Sequence, residues 1–399
     1  MGEKTASPAP PPDVLLDTTL RDGEQAPGVA LTPEEKAEYV RRAEDAGVRY
    51  IEVGFPQNSF DFESCRAAVE AARHSRLVAM ALTTAEGVER VSEVGAHEIL
   101  FVVPCSAAHL RDVYGKSLGA LMAGLRESIE YASARGLAVN VGLEDAGRRD
   151  FQTIHAILDY LLPSGDKIDC ITIPDTRGQL LPSEVGGLIE SVRGRLRGLP
   201  CRIAFHGHND LGLATANSLA ALQLAPPVDS VHVTTCGFGE RAGNASLEQM
   251  AAILELKLYR RTSLRLDRLR DLAGYVEEVF LTPLDAHAPV VGSKVFLHES
   301  ALHQKGMLRD ASAYQYLDPA LFGGRSKMVL GKHSGSRLRR SIAERAGCDE
   351  AAVCELQRAA VGRDKAEAKA TFRRSVEAAR RCSMRGIEDD EAVSRLRQG

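Results

Sequence analysis

Two histidines one residue apart, in His206-Gly207-His208-Asn209-Asp210, follow an apolar run, Cys201-Arg202-Ile203-Ala204-Phe205. Such a run reads as a buried strand. Side chains i and i+2 of a strand point to the same side, so both imidazoles would leave the strand end together. That geometry suits two nitrogen ligands on one divalent metal, with two satisfied surface histidines as the plain structural alternative. A second polar cluster, Asp17-Thr18-Thr19-Leu20-Arg21-Asp22-Gly23-Glu24-Gln25, supplies an acid and an arginine after another apolar run. Two clusters, each at the C-terminal end of a strand, point to one shared active site.

The elements that must carry these clusters alternate regularly. Candidate strands fall at Val14–Asp17, Tyr50–Val53, Leu77–Ala81, Glu98–Val103, Ala138–Val141, Asp169–Ile173, Arg202–Phe205 and Ser230–Val233. Amphipathic stretches lie between them, among them Pro33–Ala46, Phe62–Arg73, Leu118–Arg135 and Leu211–Gln223. Thr32 followed by Pro33 reads as an N-cap with a first-turn proline, and Gly47 as the stop. Eight strand–helix alternations over about 250 residues match an α/β fold of the (β/α)8 TIM-barrel type. In that barrel the reactive groups sit at the C-terminal strand ends, where both polar clusters fall. An open doubly wound sheet is the alternative, but it seldom needs eight units.

The pattern changes after Arg260. Leu264–Phe280 reads as a helix, Thr282–Gly335 as irregular, and Arg337–Ala346 and Cys354–Arg381 as two closing helices. The expected organisation is therefore a tail over residues 1–12, a catalytic barrel over 13–260 and a mostly helical appendage over 261–399.

Composition narrows the function. A chain of 399 residues with 44% apolar residues can bury a large core, and a net charge of −4 excludes a general polyanion binder, so no nucleic-acid partner is expected. The eight cysteines show no C-x-x-C spacing, which suits reduced thiols in a cytoplasmic protein. No apolar run approaches a membrane span. The Pro- and Ala-rich start, Met1 to Pro12, lacks the apolar core of a signal peptide and reads as a disordered tail.

Three ordered motifs carry a family resemblance: Leu20-Arg21-Asp22-Gly23-Glu24-Gln25, His206-Gly207-His208-Asn209-Asp210 and Gly237-Phe238-Gly239-Glu240-Arg241-Ala242-Gly243-Asn244. From about residue 14 to 340 the chain resembles the DRE-TIM metallolyase superfamily. Within it, the chain resembles the alkylmalate-synthase branch of homocitrate, 2-isopropylmalate and citramalate synthases. The resemblance implies a barrel holding one divalent metal and condensing acetyl-CoA, the co-substrate, with a 2-oxo acid. It implies Asp22, His206, His208 and Asn244 as metal ligands, a donor set that accepts zinc, manganese or magnesium. Arg21 would face the keto oxygen as it becomes an alkoxide, and Gln25 would support it by hydrogen bonding. Glu52, Glu144 and Thr176 match family positions at the ends of strands two, five and six. Thr176 would bind the substrate carboxylate, and Glu144 would act in catalysis, although Gly142 departs from the Ser-x-Glu of some relatives. His303 and Tyr314 match a catalytic histidine and tyrosine of the appendage that reach over a neighbouring barrel, which implies a homodimer. Ala301 and Leu302 replace the usual small residue and isoleucine beside that histidine.

For the substrate side chain, Arg177 stands where relatives commonly carry a small apolar residue, and Arg111 where homocitrate synthases bind a far carboxylate. Both would make charge-assisted contacts to a distal anion. The expectation is an anionic 2-oxo acid, 2-oxoglutarate or a phosphonate analogue such as 3-phosphonopyruvate, with 2-isopropylmalate or citramalate synthesis as the alternative. A hydroxymethylglutaryl-CoA-type lyase is a further alternative, although the surroundings of Cys236 lack its Gly-Gly-Cys-Pro arrangement. A catalytically dead barrel sits poorly with a complete ligand set.

Overall fold

The computed structural model describes residues 14–115, 117–260, 262–362 and 365–383. The expected tail over 1–12 lies outside the described residues. Eight parallel strands close into a barrel: β1 (Leu15–Asp17), β2 (Tyr50–Gly54), β3 (Arg76–Ala81), β4 (Glu98–Pro104), β5 (Ala138–Glu144), β6 (Cys170–Asp175), β7 (Arg202–Gly207) and β8 (Ser230–Val233). Each strand pairs with the next in sequence, and β8 returns to β1 through Leu15–Val231, Leu16–His232 and Asp17–Val233. The TIM barrel is thus confirmed, with several strands running one to three residues beyond their apolar cores.

Local chemistry explains the helices between them. The helix Pro33–Asp45 starts on a reciprocal cap: Thr32 Oγ1 accepts the Glu35 N–H at 3.2 Å, and the Glu35 carboxylate accepts the Thr32 N–H at 2.8 Å. Gly47 follows at φ +86°, where a Cβ would lie 2.0 Å from the Ser263 carbonyl oxygen. Only glycine satisfies both constraints.

The barrel interior is layered. Near the N-terminal strand ends, the fully buried Glu98 carboxylate accepts hydrogen bonds from Tyr50 at 2.6 Å, Asn140 at 2.7 Å and Arg76, with Arg202 at 3.6 Å. Above this polar plug packs an apolar layer of Leu16, Val78 and Leu100, joined by the Tyr50 ring, Met80 and Val102. The candidate site lies at the opposite ends of the strands.

Residue contacts divide the chain between Leu264 and Arg265. The second unit buries Leu272, Val276, Phe280, Phe296, Phe322, Leu338 and Val353. Its helices include Leu269–Val279, Ala301–Met307, Ser336–Ala346, Glu350–Val361 and Lys365–Ser383. Two expectations change here. The stretch 282–335 contains a small parallel pair, β9 (Leu297–His298) with β10 (Lys327–Met328). The single helix expected over Cys354–Arg381 is two, the first capped by Asp349, which accepts the Ala352 N–H at 2.7 Å, and ending before Gly362.

Candidate active site

The loop after β1 is fixed from below. Asp17, fully buried, accepts the Thr19 N–H at 2.9 Å and the hydroxyls of Thr19 and Tyr39. Tyr39 Oη also meets Thr235 Oγ1 at 2.7 Å, and Thr19 Oγ1 accepts the Thr235 N–H at 2.8 Å. This buried network ties β1 to the loop after β8. Lys36, without solvent exposure, reaches under the same loop. Its ammonium donates to the carbonyls of Leu20 at 3.1 Å and Val53 at 3.2 Å and pairs with Glu24 at 2.6 Å. The backbone on either side of Arg21 and Asp22 is therefore held from several directions.

Above it opens a cavity of about 590 Å³ at the C-terminal strand ends, lined in part by Arg21, Asp22, Gln25, Glu144, Thr176, His206 and His208. The imidazoles of His206 and His208 converge, Nε2 to Nε2 at 3.2 Å, and lie 3.5 and 3.8 Å from Asp22 Oδ2. Alternation in β7 had implied that the two rings leave together. Asn244 donates through Nδ2 to Asp22 Oδ1 at 2.8 Å and to the Phe238 carbonyl at 3.1 Å, while its own Oδ1 is buried without a partner. Gly239 lets these groups meet, because a Cβ there would fall 2.1 Å from Asn244 Nδ2 and 2.7 Å from Asp22 Oδ1.

Charge states follow from the surroundings. Burial works against the Asp22 charge, but the Arg21 guanidinium beside it and the Asn244 amide hold the carboxyl well below its ordinary range. Burial, reinforced for His206 by its histidine neighbour, pushes both ligand-type histidines down and keeps them neutral. A carboxylate, two neutral imidazole nitrogens facing one volume and an orphaned amide oxygen are the donor chemistry a divalent cation requires. The residues present fit a metal.

Arg21 donates to Asp22 Oδ2 at 2.6 Å and to Glu52 Oε1 at 2.9 Å. Glu52 is fully buried behind it and does not line the cavity. The structure thus places Glu52, a candidate substrate-binding residue by resemblance, against the Arg21 guanidinium and not at the cavity surface. Thr176 Oγ1 accepts the Asp145 N–H at 2.8 Å, which leaves its hydroxyl proton free to donate into the cavity. Glu144 Oε2 accepts the Tyr114 hydroxyl at 2.8 Å.

Two sequence-assigned residues are elsewhere. Arg111 points into solvent, its side chain 72% exposed and paired with Asp112 at 2.7 Å. Arg177 is exposed in the turn after β6 and does not line the cavity. The apolar part of the cavity lining comes from Phe55, Met80, Leu82, Leu100, Val102 and Leu121, with Thr83, Thr84 and Tyr114 also lining it. His303 and Tyr314 belong to the C-terminal unit, where both are exposed and their rings stack at 4.2 Å between centroids.

Sequence reasoning missed four contributors. His232 is buried edge-on to His206 at 5.3 Å between ring centroids, and burial pushes it down to about 3. Its signal was the polar alternation of Ser230-Val231-His232. Arg241 stood inside a quoted motif; it donates to Asp210 at 2.8 and 2.9 Å and to the Thr176 carbonyl at 2.7 Å, tying together the loops after β6, β7 and β8. Tyr114 and Lys36 gave no signal beyond their residue type.

A closed parallel barrel with a convergent Asp–His–His cluster at its catalytic rim defines a metal-dependent TIM-barrel enzyme. The HMGL-like family profile matches residues 14–276, and the homocitrate synthase post-HMGL domain-like profile matches residues 290–363. A putative (R)-citramalate synthase of Methanopyrus kandleri is 35% identical over 88% of this chain and 68% of its own length. A probable 2-isopropylmalate synthase of Ignicoccus hospitalis is 34% identical over 80% of this chain and 79% of its own. Other relatives are longer: the putative (R)-citramalate synthase of Archaeoglobus fulgidus, 33% identical, is spanned over 65% of its length. The crystal structure of Bacillus subtilis HMG-CoA lyase superposes with a TM-score of 0.61 over 70% of this chain and 97% of that one. At 22% identity that likeness speaks for the barrel fold. The chain belongs to the HMGL-like family, in its alkylmalate and homocitrate synthase branch of metal-dependent, acetyl-CoA-using acyltransferases.

Proposed function

We propose that this enzyme condenses acetyl-CoA with a 2-oxo acid whose side chain is short and uncharged, in the manner of citramalate or 2-isopropylmalate synthases, and releases CoA. The single observation that carries the choice is the apolar share of the cavity lining, from Phe55, Met80, Leu82, Leu100, Val102 and Leu121, with Arg111 and Arg177 outside the cavity. A carboxylate or phosphonate pushed against those side chains would lose its water without gaining a partner, a cost of several kcal/mol. The relatives at 32–35% identity carry citramalate and 2-isopropylmalate synthase names, in keeping with this choice.

Asp22, His206, His208 and Asn244 would hold the divalent ion, which when bound supplies Lewis-acid polarisation of the keto group. Arg21, fixed by Glu52, would donate to the keto oxygen as negative charge develops there. The Thr176 hydroxyl would donate to the substrate carboxylate, and Gln25, which also lines the cavity, would support Arg21 by hydrogen bonding. Glu144, oriented by Tyr114, would serve proton transfer. His303 and Tyr314 would act at the acetyl methyl of a neighbouring barrel. Their exposure, together with Leu302 and Tyr316 at 63 and 64% exposed, supports a homodimer in which that surface is covered. Among the described residues no helix is long and apolar enough to cross a membrane, and a cytoplasmic site of action is part of this reading.

The test is thiol release from acetyl-CoA with pyruvate, 2-oxoisovalerate, 2-oxoglutarate and 3-phosphonopyruvate supplied singly. One of the first two is expected to lead in kcat/KM by roughly 100-fold over both anionic acids, the cost of an unpaired buried charge. A lead by either anionic acid overturns the reading.

A further inference from the structure

A second cavity, about 300 Å³, lies wholly within the C-terminal unit. Arg270, Arg325 and Lys327 line it with Ser293, Phe296 and Gly324, and among the described residues no acidic side chain lines it. Arg270 projects from the helix Leu269–Val279, and Lys327 opens β10. The Arg270 guanidinium stands 5.7 Å from the centre of the Phe296 ring. Phe296 is itself buried and stacked on Phe322 at 6.5 Å, so a cation–π contact on a rigid platform tethers the guanidinium. Yet Nε and Nη2 of Arg270, the two donors of one edge of the fork, are buried without any hydrogen-bond partner. Buried donors of a permanent cation are normally satisfied, and this pair is not.

We propose that this pocket binds a phosphoryl group. Once the side chain turns toward the cavity, the free edge of Arg270 offers two parallel N–H donors at the spacing of two oxygens on one phosphorus or carbon atom. Phosphoryl is favoured over carboxylate by charge. A terminal phosphate carries close to two negative charges near neutral pH, against one for a carboxylate, and three cations converge here. The pocket can also admit more than a bare anion, since its volume reaches the lower range of small-molecule sites. The phosphate could belong to a free phosphorylated metabolite or to CoA.

Calorimetric titration of the full-length protein at low salt with pyrophosphate, CoA and acetate separates these sources. The readout is the difference between wild type and two variants, R270Q and the exposed double variant R325S/K327S, with folding checked by circular dichroism. Pyrophosphate is expected to bind once per chain, each variant weakening it at least tenfold, while acetate gives no saturable heat. If CoA weakens in parallel, its phosphates use the pocket; if only pyrophosphate weakens, the ligand is a free phosphorylated anion. Both results uphold the site. Unchanged pyrophosphate and CoA affinity in the double variant, or acetate binding as tightly as pyrophosphate, overturns it.

Discussion

Arg21, proposed above to face the reacting oxygen, is held in place by two carboxylates. Glu52 takes its Nε at 2.9 Å and Asp22 one terminal nitrogen at 2.6 Å. Glu52→Gln keeps the shape but removes the charge that anchors the fork. It should lower kcat about tenfold or more, the size of one charge-assisted hydrogen bond, with far-UV circular dichroism unchanged. A Gln variant at wild-type kcat would show that Glu52 is packing alone. His208→Ala should lose turnover and bound metal together, as read by elemental analysis, while retaining its fold; full activity without that imidazole would refute the ligand assignment. Arg111→Ser should change kcat/KM by less than about twofold, because its guanidinium faces solvent and Asp112. At this scale the sequence was legible wherever chemistry dictates residue type. Asp22, His206 and His208 come together because a metal site tolerates few substitutes. Arg111 and Arg177 were misplaced because spacing does not say which way a loop side chain points. Lys36 and Tyr39 were invisible because each sits on a helix whose pattern reads as ordinary amphipathicity, although both are fully buried under the loop after β1.

At the scale of elements, every strand was legible as an apolar run, but β2 and β4 to β7 were read short at the C-terminal end. β5 extends through Gly142-Leu143-Glu144, and β7 through His206-Gly207. In β5 and β7 the residues added include polar groups that line the cavity, Glu144 and His206, which a purely apolar signal does not include. The opposite end of the barrel yields a stability prediction. Burial would raise the Glu98 carboxyl, but hydrogen bonds from Asn140, Tyr50 and Arg76 and the charge of Arg202 outweigh it, so its pKa lies below the ordinary 4.5. The unfolded chain therefore takes up this proton first as pH falls. The stabilisation is full above about pH 4.5 and is lost progressively below it. Glu98→Gln should flatten that acid limb in thermal unfolding measured against pH. At neutral pH it should cost about 2–4 kcal/mol, by leaving the half-exposed Arg76 and Arg202 without their buried partner. An unchanged acid limb would place the sensitivity elsewhere.

For the whole molecule, the proposed exchange of groups between subunits has its own test. Asp22→Ala and His303→Ala chains should each be inactive, yet recover up to about a quarter of wild-type activity when mixed and allowed to exchange, since one hybrid site would be intact. No recovery despite demonstrated exchange would put both groups in one chain's site. The strand–helix alternation ends near residue 260, and residue contacts divide the chain between Leu264 and Arg265. The small β9–β10 pair was not legible, since two-residue strands leave no periodicity to read. What the apolar lining selects is decided most directly by competition. The enzyme, loaded with a divalent metal and 13C-labelled acetyl-CoA, is given equal concentrations of pyruvate, 2-oxoisovalerate, 2-oxoglutarate and 3-phosphonopyruvate, and the labelled products are identified by mass spectrometry. Labelled citramalate or 2-isopropylmalate should dominate; labelled homocitrate or phosphonomethylmalate as the main product would contradict it.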